Sequence, residues 1–212
     1  MAYTSNYPIN DIATDIVVFT FSEEHELEVL LIERKGNPRG WALPGGFLRP
    51  DEDLDTCARR ELLEETGLRA KSLTHFRNFS RPDRDPRSRV VSAAYLALLP
   101  KPQPVHGGSD ALTAQWFPLD KRPKPLVFDH EQIIKEALGV LQGKLERQLD
   151  ALFDFLPKEF TLTRAQRVLE AVSRKPVDKR NFRKLLSAEG LVVPTGKAQP
   201  TSTRPAQLFR KK

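Results

Sequence analysis

Residues 46–68, GFLRPDEDLDTCARRELLEETGL, decide the fold. Asp53 is a preferred N-cap residue, and Gly67 is a preferred residue just past a helix end. The stretch therefore predicts a helix over residues 53–66, preceded by a loop that contains glycine and proline.

The predicted helix carries acidic residues on its apolar side. At about 100° per residue, Glu61 and Glu65 fall within the stripe formed by Leu54, Ala58 and Leu62. Carboxylates that face the body of a protein are costly unless cations compensate them. Clustered carboxylate oxygens suit Mg²⁺ or Mn²⁺, so the helix is a candidate metal site.

An internal ion-pair network is the alternative explanation for these acids. Arg59 and Arg60 lie on the same helix and offer cations to the glutamates, including Glu64, which is adjacent to Glu61 at spacing i+3. The helix alone leaves both explanations open.

The preceding glycines favour a ligand site. Gly45 and Gly46 allow a ligand to approach the backbone closely. Loop and helix together match the Nudix box, GX5EX7REUXEEXGU, at each specified position. The matching residues are Gly46, Glu52, Arg60, Glu61, Leu62, Glu64, Glu65, Gly67 and Leu68. The sequence thus resembles the Nudix family over about residues 11–143.

This resemblance implies hydrolysis of a nucleoside diphosphate linked to another group, with Mg²⁺ or Mn²⁺ as the cofactor. The implied catalytic residues are Glu52, Arg60, Glu61, Glu64 and Glu65. The implied metal ligands are Glu61, Glu64, Glu65 and Gly46. In the family a further acid often comes from a distant loop. Asp110 is the candidate here, and its alternative role is that of a turn residue.

The residues around the box predict one layered α/β domain. Short β-branched or aliphatic runs predict strands at residues 13–20, 28–33, 72–79, 90–99 and 114–119. Residues 36–46 predict a loop, and Asp129 predicts the start of a second helix that ends near Gly143. With the resemblance, the expected fold class is a Nudix-type α/β/α sandwich with a mixed sheet, over residues 1–148.

Two segments resemble the ADP-ribose-using branch of the family, namely residues 81–99 and FDHEQII at 128–134. Arg87 and Arg89 precede a predicted strand and suit bidentate contacts to a diphosphate. Arg81 and Arg84 are further candidates, and for any one of these four arginines the alternative is a solvated loop residue.

Aromatic residues near the glycines are further ligand candidates. Trp41 and Phe47 flank the glycine pair and suit stacking on a base, with core packing as the alternative. His130 either caps the second helix or lines the site.

The last part of the chain predicts a different unit, over residues 149–212. Helical patterns at residues 163–173 and 178–189 are followed by two short strand-like runs, LVVPT and AQLFR. This is the order of a winged helix-turn-helix. Residues 156–212 hold 14 of the 34 Lys and Arg residues but 4 of the 28 Asp and Glu residues. Their net charge is +10, against −4 for residues 1–155.

The motifs LPKEFTLTRAQ, DKRNFRKLL, GLVVPTG and RPAQLFR resemble the NrtR family of Nudix-related regulators of NAD metabolism. Arg and Asn read base edges in the major groove, and basic or hydroxyl side chains contact phosphates. The candidate DNA-binding residues are Lys179, Arg180, Asn181, Arg183, Lys184, Lys197, Thr201 and Arg204. The alternative is a basic accessory domain that docks on the Nudix body.

Two functions follow from these observations. The first is a transcriptional regulator that binds a double-stranded DNA operator and senses ADP-ribose or a related NAD-derived nucleotide. Such a regulator is expected to be a homodimer, since operators are usually read by two modules. The second is a Mg²⁺-dependent ADP-ribose pyrophosphatase with an accessory domain.

Composition excludes several other classes. The single cysteine, Cys57, excludes an internal disulfide and a multi-cysteine zinc site. No signal-peptide pattern and no run of about 18 apolar residues is found. We therefore expect a cytoplasmic protein with no membrane partner.

Overall fold

The computed structural model describes residues 10–24, 26–200 and 205–212. Within them, seven strands form a mixed sheet. The strands are β1 (Asp11–Phe21), β2 (Leu27–Arg34), β3 (Gly40–Ala42), β4 (Gly45–Phe47), β5 (Thr74–Phe79), β6 (Val90–Leu99) and β7 (Ala111–Pro118). Strand β1 is central: it pairs parallel with β6 and antiparallel with β2 and β4. Strand β5 extends the sheet beyond β6, and β3 and β7 pair with β2.

Two helices cover the two faces of this sheet. They are α1 (Leu54–Thr66) and α2 (His130–Arg147). Because side chains alternate along a strand, successive residues of β1 enter different cores. Ile16 packs with Leu62 on the α1 side, whereas Val17 packs with Ile133 on the α2 side. The result is the expected α/β/α sandwich with a mixed sheet.

The C-terminal part is a winged helix. Its elements are a 3₁₀ helix (Leu149–Phe155), β8 (Phe160–Thr161), α3 (Leu162–Ser173), α4 (Lys179–Ala188), β9 (Val192–Gln199) and β10 (Ala206–Lys211). The three strands form a sheet in the order β8-β10-β9. None of the helices in the described part of the chain is long and apolar enough to cross a membrane.

The winged helix shares a hydrophobic core with helix α2. Leu141 and Leu145 of α2 are buried in the same cluster as Val168 and Val172 of α3. The Gln142 side chain also donates from Nε2 to the Val172 carbonyl at 2.8 Å. The far half of α2 is thus packed against the winged helix.

Two local expectations were wrong. Residues 36–46 are not wholly a loop, because β3 and β4 lie within them and pair with β2 and β1. Helix α2 continues past Gly143 to Arg147, because burial of Leu141 and Leu145 outweighs the weak helix propensity of glycine.

Candidate functional site

A cavity of 440 Å³ opens at the end of the sheet where α1, α2 and the loop after β5 meet. Its wall includes the acids of α1, the glycine pair, two arginines of the loop after β5 and the start of α2. The lining residues used below are Asp15, Arg34, Gly45, Gly46, Phe47, Glu61, Glu64, Glu65, Arg84, Arg87, Asp110, Phe128 and His130.

Helix α1 brings its acids to the cavity because both of its ends are held locally. The Asp53 carboxylate accepts from the Thr56 amide at 2.7 Å, and Gly67 ends the helix at φ 74°. The Glu61 carboxylate lies against Gly46, where an added Cβ would come within 2.3 Å of Oε1. A larger residue there would displace the carboxylate, so the box glycine allows the acid and the loop backbone to meet.

Glu65 is the most buried acid of the group, at 3% exposure. It accepts from the Gly45 amide at 2.8 Å but forms no ion pair with a described residue. Burial raises its pKa to about 8, and burial also raises the pKa of Glu61. A site whose carboxylates resist ionisation is short of positive charge.

Arg60 is the centre of the ion-pair network that the sequence offered as an alternative. Its guanidinium donates to both oxygens of Glu52, at 2.9 and 2.5 Å, and to Glu61 at 2.6 Å and Glu64 at 3.2 Å. Hydrogen bonds from Arg60 lower the pKa of Glu52 to about 2. Arg60 also donates to the Phe47 carbonyl at 3.2 Å, which ties the loop to the helix.

The carboxylate oxygens of α1 are the kind of donor that a divalent cation prefers, although they are not already arranged as a complete set of metal ligands. In residues 10–24, 26–200 and 205–212 no three His, Cys, Asp or Glu side chains form a ready metal-ligand set. However, Glu61 and Glu65 are hard oxygen donors. Glu61 shares the charge of Arg60 with two other glutamates, and Glu65 forms no ion pair with a described residue. A cation would supply the charge that Glu65 lacks.

A second charged cluster lies on the cavity floor and centres on Arg84. Arg84 donates to both oxygens of Asp129, at 3.0 and 2.7 Å, and to Asp15 at 2.8 Å. Asp15 also accepts from Ser92 at 2.6 Å, and His130 Nε2 lies 3.2 Å from it. Although burial opposes it, the contacts with His130, Arg84 and Ser92 hold the pKa of Asp15 well below its usual range.

The mouth of the cavity combines cations and aromatic rings. The guanidinium of Arg87 lies 5.1 Å from the Phe128 ring centre and 5.6 Å from that of Phe47. Arg34 lies 5.1 Å from the same Phe128 ring. Arg87 is also bidentate to Asp85, at 3.0 and 2.7 Å. The arginines of this opening can bind an anionic group, and the rings can stack on a planar base.

The structure brings some predicted ligand residues to the cavity and leaves others outside it. Arg87 and Asp110 line the wall. Arg81 forms an exposed ion pair with Asp83 at 2.7 Å, and Arg89 donates to the Val90 carbonyl at 3.2 Å. Trp41 packs edge-on against Phe117 at 4.8 Å, which is the core-packing alternative.

Sequence reasoning missed much of the cavity floor. Arg84 is buried at 7% exposure, so it is not a solvated loop residue, and Asp15 is buried beside it. Nothing in their local sequence marks them, because their partners lie 45 to 77 residues away. Of the two roles expected for His130, it takes the second: it lines the cavity, whereas the N-cap position of α2 is Asp129 and the His130 ring accepts from the Leu43 amide.

Helix α4 presents the other candidate site. Asp178 caps it by accepting from the Asn181 amide at 2.7 Å, and Phe182 and Leu186 anchor it in the core. The predicted DNA-binding side chains of α4 are all exposed. They are Lys179, Arg180, Asn181, Arg183 and Lys184.

The four cations of α4 form no ion pair within the described part of the chain, in contrast to Arg60 and Arg84. In the wing, Lys197 is exposed on β9 and pairs with Glu159 at 2.8 Å. Thr201 and Arg204, which were also predicted to bind DNA, lie outside the described residues.

Comparisons with known proteins agree with this division of the chain. Residues 11–137 match the family described as NUDIX domain, and residues 152–210 match the NrtR DNA-binding winged helix domain. The "ADPR responsive transcriptional repressor NtrR" of Acinetobacter baylyi is 32% identical over 211 residues, covering 97% of this chain and 84% of that protein. The "ADP-ribose pyrophosphatase" of Methanocaldococcus jannaschii is 43% identical over 122 residues, covering 57% of this chain and 71% of that protein.

Solved structures of Shewanella oneidensis NrtR are similar to this chain. NrtR complexed with a 27mer DNA superposes with a TM-score of 0.76 at 29% identity, covering 95% of this chain and 93% of that one. Its NUDIX domain complexed with ADP ribose gives a TM-score of 0.58 at 30% identity, covering 64% of this chain and 90% of that one. The chain therefore belongs to the Nudix family, with an NrtR-type winged helix as its C-terminal domain.

Proposed function

We propose that this protein is an ADP-ribose-responsive transcriptional repressor of NAD-metabolism genes. The observation that carries the proposal is the exposed cationic face of α4, which has no ion-pair partner among the described residues, on a chain whose other domain holds a nucleotide-sized cavity. The relatives named as a repressor and solved with DNA and with ADP ribose support it.

The proposed DNA contacts follow from the position of α4. As the second helix of a helix-turn-helix, α4 enters the major groove, where Arg180, Asn181 and Arg183 reach base edges. Lys179, Lys184 and Lys197, with Thr201 and Arg204 of the wing, contact phosphates.

We place the division between the Nudix and DNA-binding units at residue 148, where α2 ends and the 3₁₀ helix begins.

The proposed nucleotide contacts follow from the cavity mouth. Arg87 is the cation best placed for the diphosphate, because its side chain is 37% exposed and reaches the opening. Phe47 and Phe128 offer faces for the adenine ring. Arg81, Arg89 and Trp41 contribute only if the segments that carry them rearrange around the ligand.

The test of the repressor function is a DNA-binding titration with and without ADP-ribose. The probe is duplex DNA that the full-length protein enriches from a random library, compared with DNA from upstream of NAD-biosynthesis genes. Saturating ADP-ribose is expected to change the affinity for the enriched duplex by about 5- to 150-fold. DNA affinity that ignores ADP-ribose would overturn the sensor function.

We further propose that the protein acts as a homodimer. A single winged helix covers little DNA, and twofold operators are read by paired modules about one helical turn apart. Light scattering at micromolar concentration is expected to give a mass near 48 kDa, twice the 24.1 kDa of one chain. A monomer both with and without ADP-ribose would contradict this proposal.

The second candidate function is hydrolysis of ADP-ribose to AMP and ribose 5-phosphate, with Mg²⁺ or Mn²⁺. It is favoured by the acids of α1 and Asp110, which line the same cavity. When bound by Glu61, Glu64, Glu65 and the Gly46 carbonyl, the metal would offset charge on the diphosphate and activate water. Arg60 and Glu52 hold the loop and helix that carry these groups. Formation of AMP with each metal, measured beside the DNA titration, tests it.

A further inference from the structure

The first residues of α2 are clasped by the loop between β5 and β6. Arg84 holds the Asp129 carboxylate through two hydrogen bonds, and Arg87 lies over the ring of the preceding residue, Phe128. Two consecutive residues at the helix start are thus engaged by two arginines, and both arginines line the nucleotide cavity. This helix start is a direct contact between the cavity and α2.

Asp129 does not cap its own helix. An N-cap aspartate normally accepts from an amide of the first turn. Here the Gln132 amide donates instead to the Asp129 backbone carbonyl at 2.9 Å, because the carboxylate is held by Arg84. Phe128 has φ 57°, a left-handed backbone that costs a side chain such as phenylalanine about 1 kcal/mol. The clasp therefore holds the helix start in an arrangement that the helix alone does not favour.

Helix α2 links this point to the DNA-binding domain. It spans 18 residues, or roughly 27 Å at 1.5 Å per residue. At its start, His130 accepts from the Leu43 amide at 2.8 Å. Further along, Leu141 and Leu145 are buried with α3, and Gln142 donates to the Val172 carbonyl. A shift of the helix start is therefore transmitted to the packing of α3.

We propose that the Arg84–Asp129 pair is the switch that couples nucleotide binding to DNA binding, an inference that rests on the proposed function. A phosphate group that engages Arg87 competes with Asp85 and with the Phe128 ring for the same guanidinium. The loop that carries Arg87 then moves Arg84, only three residues away, and releases Asp129. The freed carboxylate caps α2, which gives the helix start two discrete arrangements.

The test compares Asp129→Asn with the wild-type protein. Asparagine caps a helix as well as aspartate does, but it offers no charge to hold Arg84. The ligand-free variant is expected to bind the enriched duplex with the affinity of the ADP-ribose-bound wild type. The effect of ADP-ribose on its DNA affinity is expected to fall to about 2-fold or less, from the roughly 5- to 150-fold of a coupled protein. By reciprocity, DNA loses its effect on ADP-ribose affinity to the same degree.

The matched control is Asp83→Asn, the same change in the same loop. Asp83 pairs with Arg81 at an exposed position, and among the described residues it forms no ion pair with Arg84 or Arg87. Its coupling factor is expected to equal that of the wild type. If Asp129→Asn keeps the wild-type factor, the switch is overturned while the repressor function stands. If wild-type protein itself shows no coupling, the proposed function fails, so the two failures are distinguishable.

A second variant covers the case in which Asp129→Asn does not fold. Phe128→Gly removes the ring beneath Arg87, and relief of the left-handed backbone offsets part of the packing that is lost with the ring. It is expected to weaken the coupling in the same direction as Asp129→Asn. A folded Phe128→Gly protein with unchanged coupling would overturn the clasp.

Discussion

The carboxylate helix α1 and the basic helix α4 use charge in opposite ways. On α1 Glu61 and Glu65 turn toward the protein, and Arg60 pairs with Glu61, with Glu52 of the preceding loop and with the more exposed Glu64. On α4 the cations turn outward, and the described part of the chain offers them no ion-pair partner. Charges paired internally mainly organise a site, whereas unpaired exposed charges remain available to a polyanion.

The largest expected effect tests the basic helix. Replacing Arg180 and Arg183 with alanine should weaken binding to the enriched duplex by at least about 30-fold, because each base-reading arginine contributes about 1–3 kcal/mol. ADP-ribose affinity should be unchanged, because the cavity lies in the other domain. Titration of labelled duplex across salt concentrations measures the first effect, and calorimetry measures the second.

The control for charge alone is Arg69→Ala with Lys71→Ala, two exposed cations on the Nudix domain. This pair should leave specific DNA binding near wild type. If the α4 double variant binds the duplex normally, the assignment of α4 as the recognition helix is wrong.

The next effect tests the acids of α1. Glu65→Gln should lower metal-dependent hydrolysis of ADP-ribose by roughly 100-fold, since it removes an anionic ligand without a change in shape, and even outer-shell changes cost 10- to 100-fold. DNA binding without ligand should stay intact, as it should in Glu61→Gln. AMP formation, compared with that of the exposed control Glu146→Gln, measures the loss. Equal rates would remove Glu65 from the metal site.

A smaller effect is the pH dependence of the free energy of unfolding, which tests the internally paired charge of Glu52. Arg60 holds the pKa of Glu52 at about 2, below its unfolded value, so this carboxylate stabilises the fold above about pH 5. That stabilisation is lost as the pH falls toward 2. Glu52→Gln should therefore cost about 2 kcal/mol of unfolding free energy at pH 7 and roughly half of that at pH 3.

Denaturant titrations at the two pH values measure this difference. Glu26→Gln is the matched control, because Glu26 pairs with Lys121 at the exposed surface. Its cost should stay below about 1 kcal/mol at both pH values. A cost for Glu52→Gln that is the same at pH 7 and pH 3 would contradict the role of its charge.

The smallest effect concerns the wing. Lys197 pairs with Glu159 at an exposed position, so Lys197→Ala should change the unfolding free energy by about 0.5 kcal/mol or less. If Lys197 contacts a phosphate, the same variant should lower the salt slope of DNA binding by about one. An unchanged slope would leave Lys197 with its intramolecular partner alone.

Most of the fold could be predicted because its signals are local. The cap residues Asp53, Gly67 and Asp178 stand where the helices begin and end. The short strands β3 and β4 could not be predicted, because glycine-rich residues become strands only by pairing with β2 and β1. Local propensity is silent about pairing partners that are distant along the chain.

The sequence by itself determined the positions of the charged groups on α1 and α4, since helical periodicity and caps decide which side each residue takes. Tertiary structure alone decided which of these charges are paired. In the folded protein Arg84 is buried and donates to both Asp15 and Asp129, and the Phe128 ring lies beneath Arg87. The physical reason is that an ion pair depends on the distance between atoms in space, which the fold sets and spacing along the chain does not.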